Sequence, residues 1–258
     1  MKKLTVYNYM IEKSKFFSVS EEIFSENGLS EFANGQIFEK FYFLTEIMLR
    51  VNEEMNLTAI TDPEAVILKH YADCLLIAKK ETDCLSQGAR VVDIGCGAGF
   101  PCFPLAIARP DLEILGIDST AKRIRYVNET ASALGLENLR AEALRAEDGA
   151  KKGSAMRESF DVATARAVAT LPVLTELCLP YVKVGGKFVA MKARSAPEEV
   201  ENAKNAVKTL GGQLISADQI PLRRLGEEEN RTIITVVKKF PTPEKYPRHY
   251  SQISKKPL

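Results

Sequence analysis

The sequence predicts a doubly wound α/β protein: a mostly parallel sheet with a last antiparallel strand, behind a helical N-terminal extension. Three observations predict it. From Ala89 onward, short apolar runs alternate with amphipathic helical stretches, the texture of a parallel sheet wrapped by helices. The first run ends in glycines, Gly95, Gly97 and Gly99, at a strand-to-helix turn. The last two runs, residues 213–221 and 231–240, have only a loop between them, too little for a parallel crossover.

The elements follow in order. Residues 1–66 read as helical, with Ile37, Phe41, Leu44, Met48 and Val51 recurring at steps of four, three, four and three as one apolar stripe. A further helix is expected from Glu64 to about Lys79, because Asp62 can cap it and Pro63 suits its first turn. Strands are expected at 91–94, 112–118, 139–144, 160–164 and 187–191, then the final pair. Helices are expected at 120–134, stopped by Gly135, at 171–181, and at 198–210, stopped by Gly211 and Gly212. This gives an N-terminal helical extension or cap at 1–66, a Rossmann-like domain at 67–240 and a basic tail at 241–258.

Composition narrows the class. With 258 residues, 45% hydrophobic and 27% charged, the chain has enough apolar material for a core, which argues against disorder. No apolar run is long enough to span a membrane, and no apolar stretch follows Lys2 and Lys3 as a signal peptide requires. Five cysteines, an odd number without a CxxC, fit reduced thiols in the cytoplasm better than disulfides or zinc. Two histidines make a multi-histidine centre improbable, so no metal is expected. Charge is unevenly spread. Residues 1–66 hold six Lys/Arg against eleven Asp/Glu, whereas 238–258 hold six Lys/Arg against Glu244 alone. A basic tail can contact phosphates; an acidic extension repels them and is expected to be structural.

Residues 91–101, Val-Val-Asp-Ile-Gly-Cys-Gly-Ala-Gly-Phe-Pro, carry the clearest chemistry. Glycines at a strand-to-helix turn let the backbone bend sharply and approach a ligand. Asp118 ends the next strand, 19 residues beyond Gly99, where a carboxylate can accept from the ribose hydroxyls of an adenosine-type ligand. A dinucleotide fingerprint is not met: the sixth position is Phe100 counted from Gly95, and Cys102 counted from Gly97. The Asp-x-Gly-x-Gly-x-Gly pattern instead resembles motif I of class I methyltransferases, which bind S-adenosyl-L-methionine.

Five runs in order make the resemblance specific: Asn56-Leu57-Thr58-Ala59-Ile60-Thr61, Lys69-His70-Tyr71-Ala72-Asp73-Cys74-Leu75, the glycine loop, Arg145-Ala146-Glu147, and Ala165-Arg166-Ala167-Val168-Ala169. Together with Glu228-Glu229-Asn230-Arg231 and Lys245-Tyr246-Pro247-Arg248, they resemble the bacterial 16S rRNA guanine-N7 methyltransferase family, RsmG or GidB, over about residues 35–258. The resemblance implies a class I methyltransferase fold with a seven-stranded sheet. It also implies methylation of one guanine in a 16S rRNA loop, position 527 in the usual rRNA numbering. Two residues depart from the family pattern: Cys96 stands where serine or threonine is common, and Cys102 where glycine is common. The family's binding residues carry over as Gly95 and Phe100 in the loop, Ala146 and Glu147 after the third strand, and Arg166 after the fourth.

Guanine N7 carries a lone pair and no proton, so its methylation needs no general base. The chain lacks the Asp/Asn-Pro-Pro-Tyr/Phe box of amino methyltransferases; Leu179-Pro180-Tyr181 is not that box. Cys102 lies in the cofactor loop, where a nucleophile for a base is misplaced. The site residues are therefore expected to bind and align. Gly95, Gly97, Gly99, Phe100, Asp118, Ala146, Glu147 and Arg166 are the cofactor candidates, with Arg166 and Lys192 as aligners and no catalytic acid or base. RNA candidates are Lys69, His70, Arg223, Arg231, Arg248, Lys255 and Lys256, and the tail is expected to serve RNA and not the cofactor. The expected partner is 16S rRNA, free or in a 30S subunit or its precursor, with no membrane and a monomeric enzyme. A small-molecule methyltransferase with the same cofactor fold, and a non-catalytic RNA-binding protein, are the alternatives.

Overall fold

A computed structural model of the chain describes residues 11–81, 83–166, 168–192 and 196–258. The opening run at 1–7 and Ala167 lie outside the described residues. The strands are β1 (Arg90–Ile94), β2 (Glu113–Asp118), β3 (Leu139–Ala143), β4 (Phe160–Arg166), β5 (Val182–Lys192), β6 (Gly212–Arg224) and β7 (Glu227–Lys238). They form one sheet in the order β3-β2-β1-β4-β5-β7-β6. The first five pair in parallel, and β7 runs antiparallel to both its neighbours. The last strand in sequence is thus the antiparallel one, inserted between β5 and β6. Winding reverses where β1 meets β4, the switch point at which open α/β sheets bind ligands.

Helices cover both faces. They are α1 (Lys13–Glu26), α2 (Gly35–Met55), α3 (Pro63–Val66), α4 (Asp73–Lys80), α5 (Cys102–Ala108), α6 (Ala121–Ala133), α7 (Ala146–Gly149), α8 (Leu171–Cys178), α9 (Ala196–Thr209) and α10 (Tyr250–Lys255). Alternation along each strand divides the core. Val91, Ile114, Val162 and Val189 face a cluster built with α1, α2, α4, α5 and α6. Val92, Leu115, Ala163 and Ala190 face a second cluster built with α8, α9 and the tail residues Tyr246 and Ile253. Ile37, Phe41, Leu44 and Met48 of the predicted stripe are buried, while Val51, at the last turn, is only partly so.

Three elements differ from expectation. The helix after Asp62 is capped as predicted, with Asp62 Oδ1 accepting from Ala65 N at 2.9 Å, but a π-helical turn, Ile67–Ala72, interrupts it. The helical path crosses residues 66–67 without a break. β5 starts earlier than expected and runs through Gly185 and Gly186; a Cβ on Gly186 would lie 2.5 Å from the Asp161 carbonyl oxygen. The predicted loop at 222–230 is instead a tight hairpin, with Arg224 opposite Glu227 and positive φ at Leu225 and Gly226. Two successive positive φ values match the twist of the flanking strands. Arg224 fastens this hairpin to the acidic extension through Glu64 at 2.5 Å and Glu22 and Glu26 at 3.2 Å.

Candidate active site

The C-terminal ends of β1 to β4 open onto one cleft made of two adjoining cavities, about 260 and 370 Å³. Both are lined by Gly95, Asp118, Arg123 and Val168. The first continues along Arg145, Ala146 and Glu147, the second along Thr58, His70, Phe100 and Arg166.

The glycine loop shapes the junction. Gly95 has φ +73°, and a Cβ there would lie 2.7 Å from a methyl of Val168. Gly99 turns away from the cleft, where a Cβ would meet the Phe103 ring. Gly97 donates its N–H to Asp118 Oδ2 at 3.1 Å, and Thr120 N donates to Asp118 Oδ1 at 2.8 Å. A carboxylate offers about four lone-pair sites. Asp118 is therefore fixed in place with acceptor capacity left on both oxygens, what a ribose diol requires.

Beyond Asp118, Glu147 is buried and its Oε1 has no hydrogen-bond partner among the described residues. A buried orphan acceptor is costly unless a ligand supplies a donor. The exocyclic amino group of an adenine is such a donor, and S-adenosyl-L-methionine fits the set. Tyr181 fixes the approach from behind by donating to the Ala146 carbonyl at 2.7 Å.

On the other side, the π turn places His70 over the loop. His70 stacks on Phe100 with centroids 4.4 Å apart and planes 20° from parallel. Its Nε2 lies 2.9 Å from Thr58 Oγ1. The Arg166 guanidinium lies 5.4 Å from the Phe100 centroid and donates to the Lys69 carbonyl at 3.1 Å and Asp73 Oδ2 at 3.2 Å. Arg231 donates to the other oxygen of Asp73 at 2.9 Å. Burial, then the charge of Arg166, pushes His70 down to about 3, so the imidazole is neutral at physiological pH. Burial raises the Asp73 carboxyl, and the two guanidiniums oppose that rise.

Beneath the loop, Asp93 is fully buried, accepting from the Cys102 thiol at 2.9 Å and from Thr164 at 3.2 Å. Burial pushes Asp93 up to about 6 and raises the Cys102 thiol well above its usual range. A protonated, buried thiol is a structural donor and not a nucleophile. Cys96 and Cys102 both sit against Gly116, whose added Cβ would be 3.0 and 3.1 Å from the two sulfurs. The departures from the family pattern thus fill one small space under the loop.

Several candidates fall outside the cleft. Lys192 is tied to Glu199 at 2.7 Å and to the Ala169 carbonyl at 2.8 Å. Arg223 pairs with Glu228 on the β6–β7 hairpin. Lys69 and Arg231 both pair with Glu229, at 3.3 and 2.8 Å, and Arg231 meets the site's residues at Asp73. Arg248 is not a free cation of the tail: it forks onto the fully buried Glu176, Nε to Oε1 at 2.9 Å and Nη2 to Oε2 at 2.6 Å. Lys255 and Lys256 are exposed. The structure adds Thr58, Asp73, Arg123 and Arg145, which sequence reasoning left without a role. The first, second and fourth stand inside the quoted runs; Arg123 carried no signal. A clustering of potential metal ligands, Glu81, Asp83 and Cys84, is occupied by Lys187, which contacts Glu81 at 2.9 Å and Asp83 at 2.8 Å. No helix among the described residues is long and apolar enough to cross a membrane.

Residues 37–224 match the family model described as rRNA small subunit methyltransferase G. A ribosomal RNA small subunit methyltransferase G of Clostridium perfringens strain 13 is 42% identical over 225 residues, covering 87% of this chain and 92% of that one. Its counterpart from Clostridium beijerinckii is 40% identical over 245 residues, covering 95% of this chain and 99% of the other. Among solved structures, the 4+2 cyclase SpnF superposes with a TM-score of 0.50 at 17% identity, covering 65% of this chain and 81% of that one, a likeness of fold alone.

Proposed function

The chain belongs to the rRNA small subunit methyltransferase G family, and on that premise we propose that it transfers the methyl group of S-adenosyl-L-methionine to N7 of a guanine in 16S rRNA. The observation that carries this reading is the single cleft centred on the immobilised Asp118. On one side lies the orphan oxygen of Glu147, and on the other the His70–Phe100–Arg166 stack. When bound, the cofactor supplies a methyl on a cationic sulfur. Asp118 would hold the ribose, Glu147 the adenine amino group, and the carbonyls at Gly95 and Gly97, whose N–H groups are committed to Ile117 and Asp118, the ammonium of the amino-acid end.

The residues at the other end suit a base that needs no deprotonation. His70, held near 3, is too weak a base to matter at neutral pH, and its ring is committed to Thr58 and Phe100. Arg166 is held beside Phe100 by the Lys69 carbonyl and Asp73, so its role is to align. Orientation of this kind supplies up to about 7–11 kcal/mol in favourable cases. Arg123, half-exposed in the cleft lining, and the exposed Arg145 provide cations at the mouth for the RNA backbone. An enzyme with this substrate works where ribosomes are assembled, in the cytoplasm.

The test uses 16S rRNA and 30S subunits from cells lacking the protein, incubated with it and labelled S-adenosyl-L-methionine. N7-methylated guanosine is cleaved by borohydride and aniline, so one new cleavage site in a 16S loop is expected. Label incorporated without cleavage would place the methyl on another atom and overturn the reading.

A further inference from the structure

The tail, residues 241–258, is fastened at several points. Lys238, fully buried, donates to Thr242 Oγ1 at 2.6 Å. Arg157 holds the Thr242 and Tyr246 carbonyls, each at 2.7 Å. Tyr246 and Ile253 are buried in the core beside α8. The Arg248–Glu176 fork closes the path, and Arg248 Nη1 also donates to the Lys256 carbonyl at 3.1 Å. Charge-assisted bonds to a fully buried carboxylate fix a segment in a way that a solvated basic arm is not fixed.

The fixed path leads α10 back to the cleft. Tyr250, its first residue, lines the same cavity as Ala146, Glu147 and Leu177. Tyr250 is nonetheless 38% exposed. An aromatic ring left partly open at the rim of a cavity whose buried wall holds an orphan acceptor is placed to cover a flat, donor-bearing ligand. The segment lies beyond residues 37–224, which the family model matches.

We propose that the tail is a wall of the cofactor cleft and that Tyr250 supplies an aromatic face to the purine of the adenosyl group. This rests on reading the cleft as an S-adenosyl-L-methionine site. It assigns the anchored part of the tail, through Tyr250, to the cofactor side, where charge alone had pointed to RNA, and leaves the exposed Lys255 and Lys256 facing outward.

The test is calorimetric titration of the full chain with S-adenosylhomocysteine and with adenosine, without RNA. An aromatic contact of ordinary strength corresponds to about a 3- to 10-fold change in affinity. Tyr250→Ala is expected to weaken both ligands by that factor, and Tyr250→Phe to restore wild-type binding. Amide hydrogen exchange across residues 246–256 is expected to slow when S-adenosylhomocysteine binds. Thermal unfolding of Tyr250→Ala should match wild type, since the ring is outside the core. If wild type binds both ligands and Tyr250→Ala binds them equally well, the proposal is overturned and the cleft reading stands. If Tyr250→Ala loses affinity for 16S rRNA and keeps it for S-adenosylhomocysteine, the tail is an RNA surface and the proposal is again overturned. If wild type binds neither adenosyl ligand, the cleft reading itself fails.

Discussion

At the Glu147 end of the cleft a buried carboxylate oxygen waits for a donor; at the Arg166 end the buried charges already have counter-charges. Both ends are built on strand termini of the same sheet, yet they are prepared differently. The first is completed by what binds to it, so its residues should control affinity more than folding. The second is complete beforehand: Asp73 balances Arg166 and Arg231, and Phe100 lies under His70. Residues there should control folding and alignment.

The largest expected effect breaks the prepared end. Asp73→Ala leaves the Arg166 guanidinium without its carboxylate partner in a mostly buried setting, while Arg231 keeps Glu229 at 2.8 Å. Losing one partner of such a group costs about 3–5 kcal/mol of stability. Denaturant unfolding should show it as a lowered midpoint; a loss under about 1 kcal/mol would erase the contrast between the two ends.

The other end is tested by affinity. Asp118→Ala should weaken S-adenosyl-L-methionine binding by about 10- to 100-fold, since hydrogen bonds to a charged group contribute about 1.5–3 kcal/mol. Glu147→Ala should cost about 10-fold, and only for ligands carrying the purine amino group. Calorimetry with adenosine and with its deaminated analogue separates the two residues. Equal losses for both analogues in Glu147→Ala would remove the adenine assignment.

The prepared end and the loop beneath it also respond to acid, through two buried groups that act in opposite senses. His70 falls from an ordinary 6.5 to about 3 on folding. Above 6.5 it is neutral in both states; as pH falls from 6.5 toward 3, only the unfolded chain takes up the proton, and stability drops by up to about 1.4 kcal/mol per pH unit. Asp93, raised from 3.8 to about 6, works in the opposite sense, taking its proton in the folded state first between about 6 and 3.8. His70→Gln should therefore flatten the acid limb of the stability curve. Single-turnover methyl transfer should stay level between about pH 7 and 9. A tenfold rise per pH unit in that range would require a base that the cleft does not supply.

Much of this was legible in the sequence because period and punctuation carry it. The glycine loop, Asp118 at the next strand end, and the stops at Gly135 and Gly211 all depend on local backbone chemistry. The hairpin at Leu225-Gly226 was not legible, because leucine is a poor marker of a positive-φ turn; its fastening by Glu22, Glu26 and Glu64 is a long-range effect. The acidic extension illustrates the same limit: its charge marked it as unsuited to phosphate but did not reveal that three of its carboxylates hold Arg224. The role of Asp73 was hidden for the same reason, since its partners lie 93 and 158 residues away.

Charge counting misled most in the tail, and there the smallest effect is expected. Six basic residues stand between 238 and 258, but Lys238 is buried on carbonyls and on Thr242, and Arg248 is spent on Glu176. Lys255 and Lys256 stay exposed at the end of α10. A phosphate contact contributes about 0.7–0.9 units to the salt slope of binding. Lys255→Ala together with Lys256→Ala should thus flatten the slope for 16S rRNA by about 1.5 units and leave S-adenosylhomocysteine affinity unchanged. Adding Arg248→Ala should not flatten it further; it should instead destabilise the fold, because Glu176 would lose its partner while fully buried. A triple variant that loses another whole unit of slope while unfolding like the double variant would return Arg248 to the RNA surface. The tail would then serve the substrate as its charge first suggested, and the division between the two ends of the cleft would have to be redrawn around it.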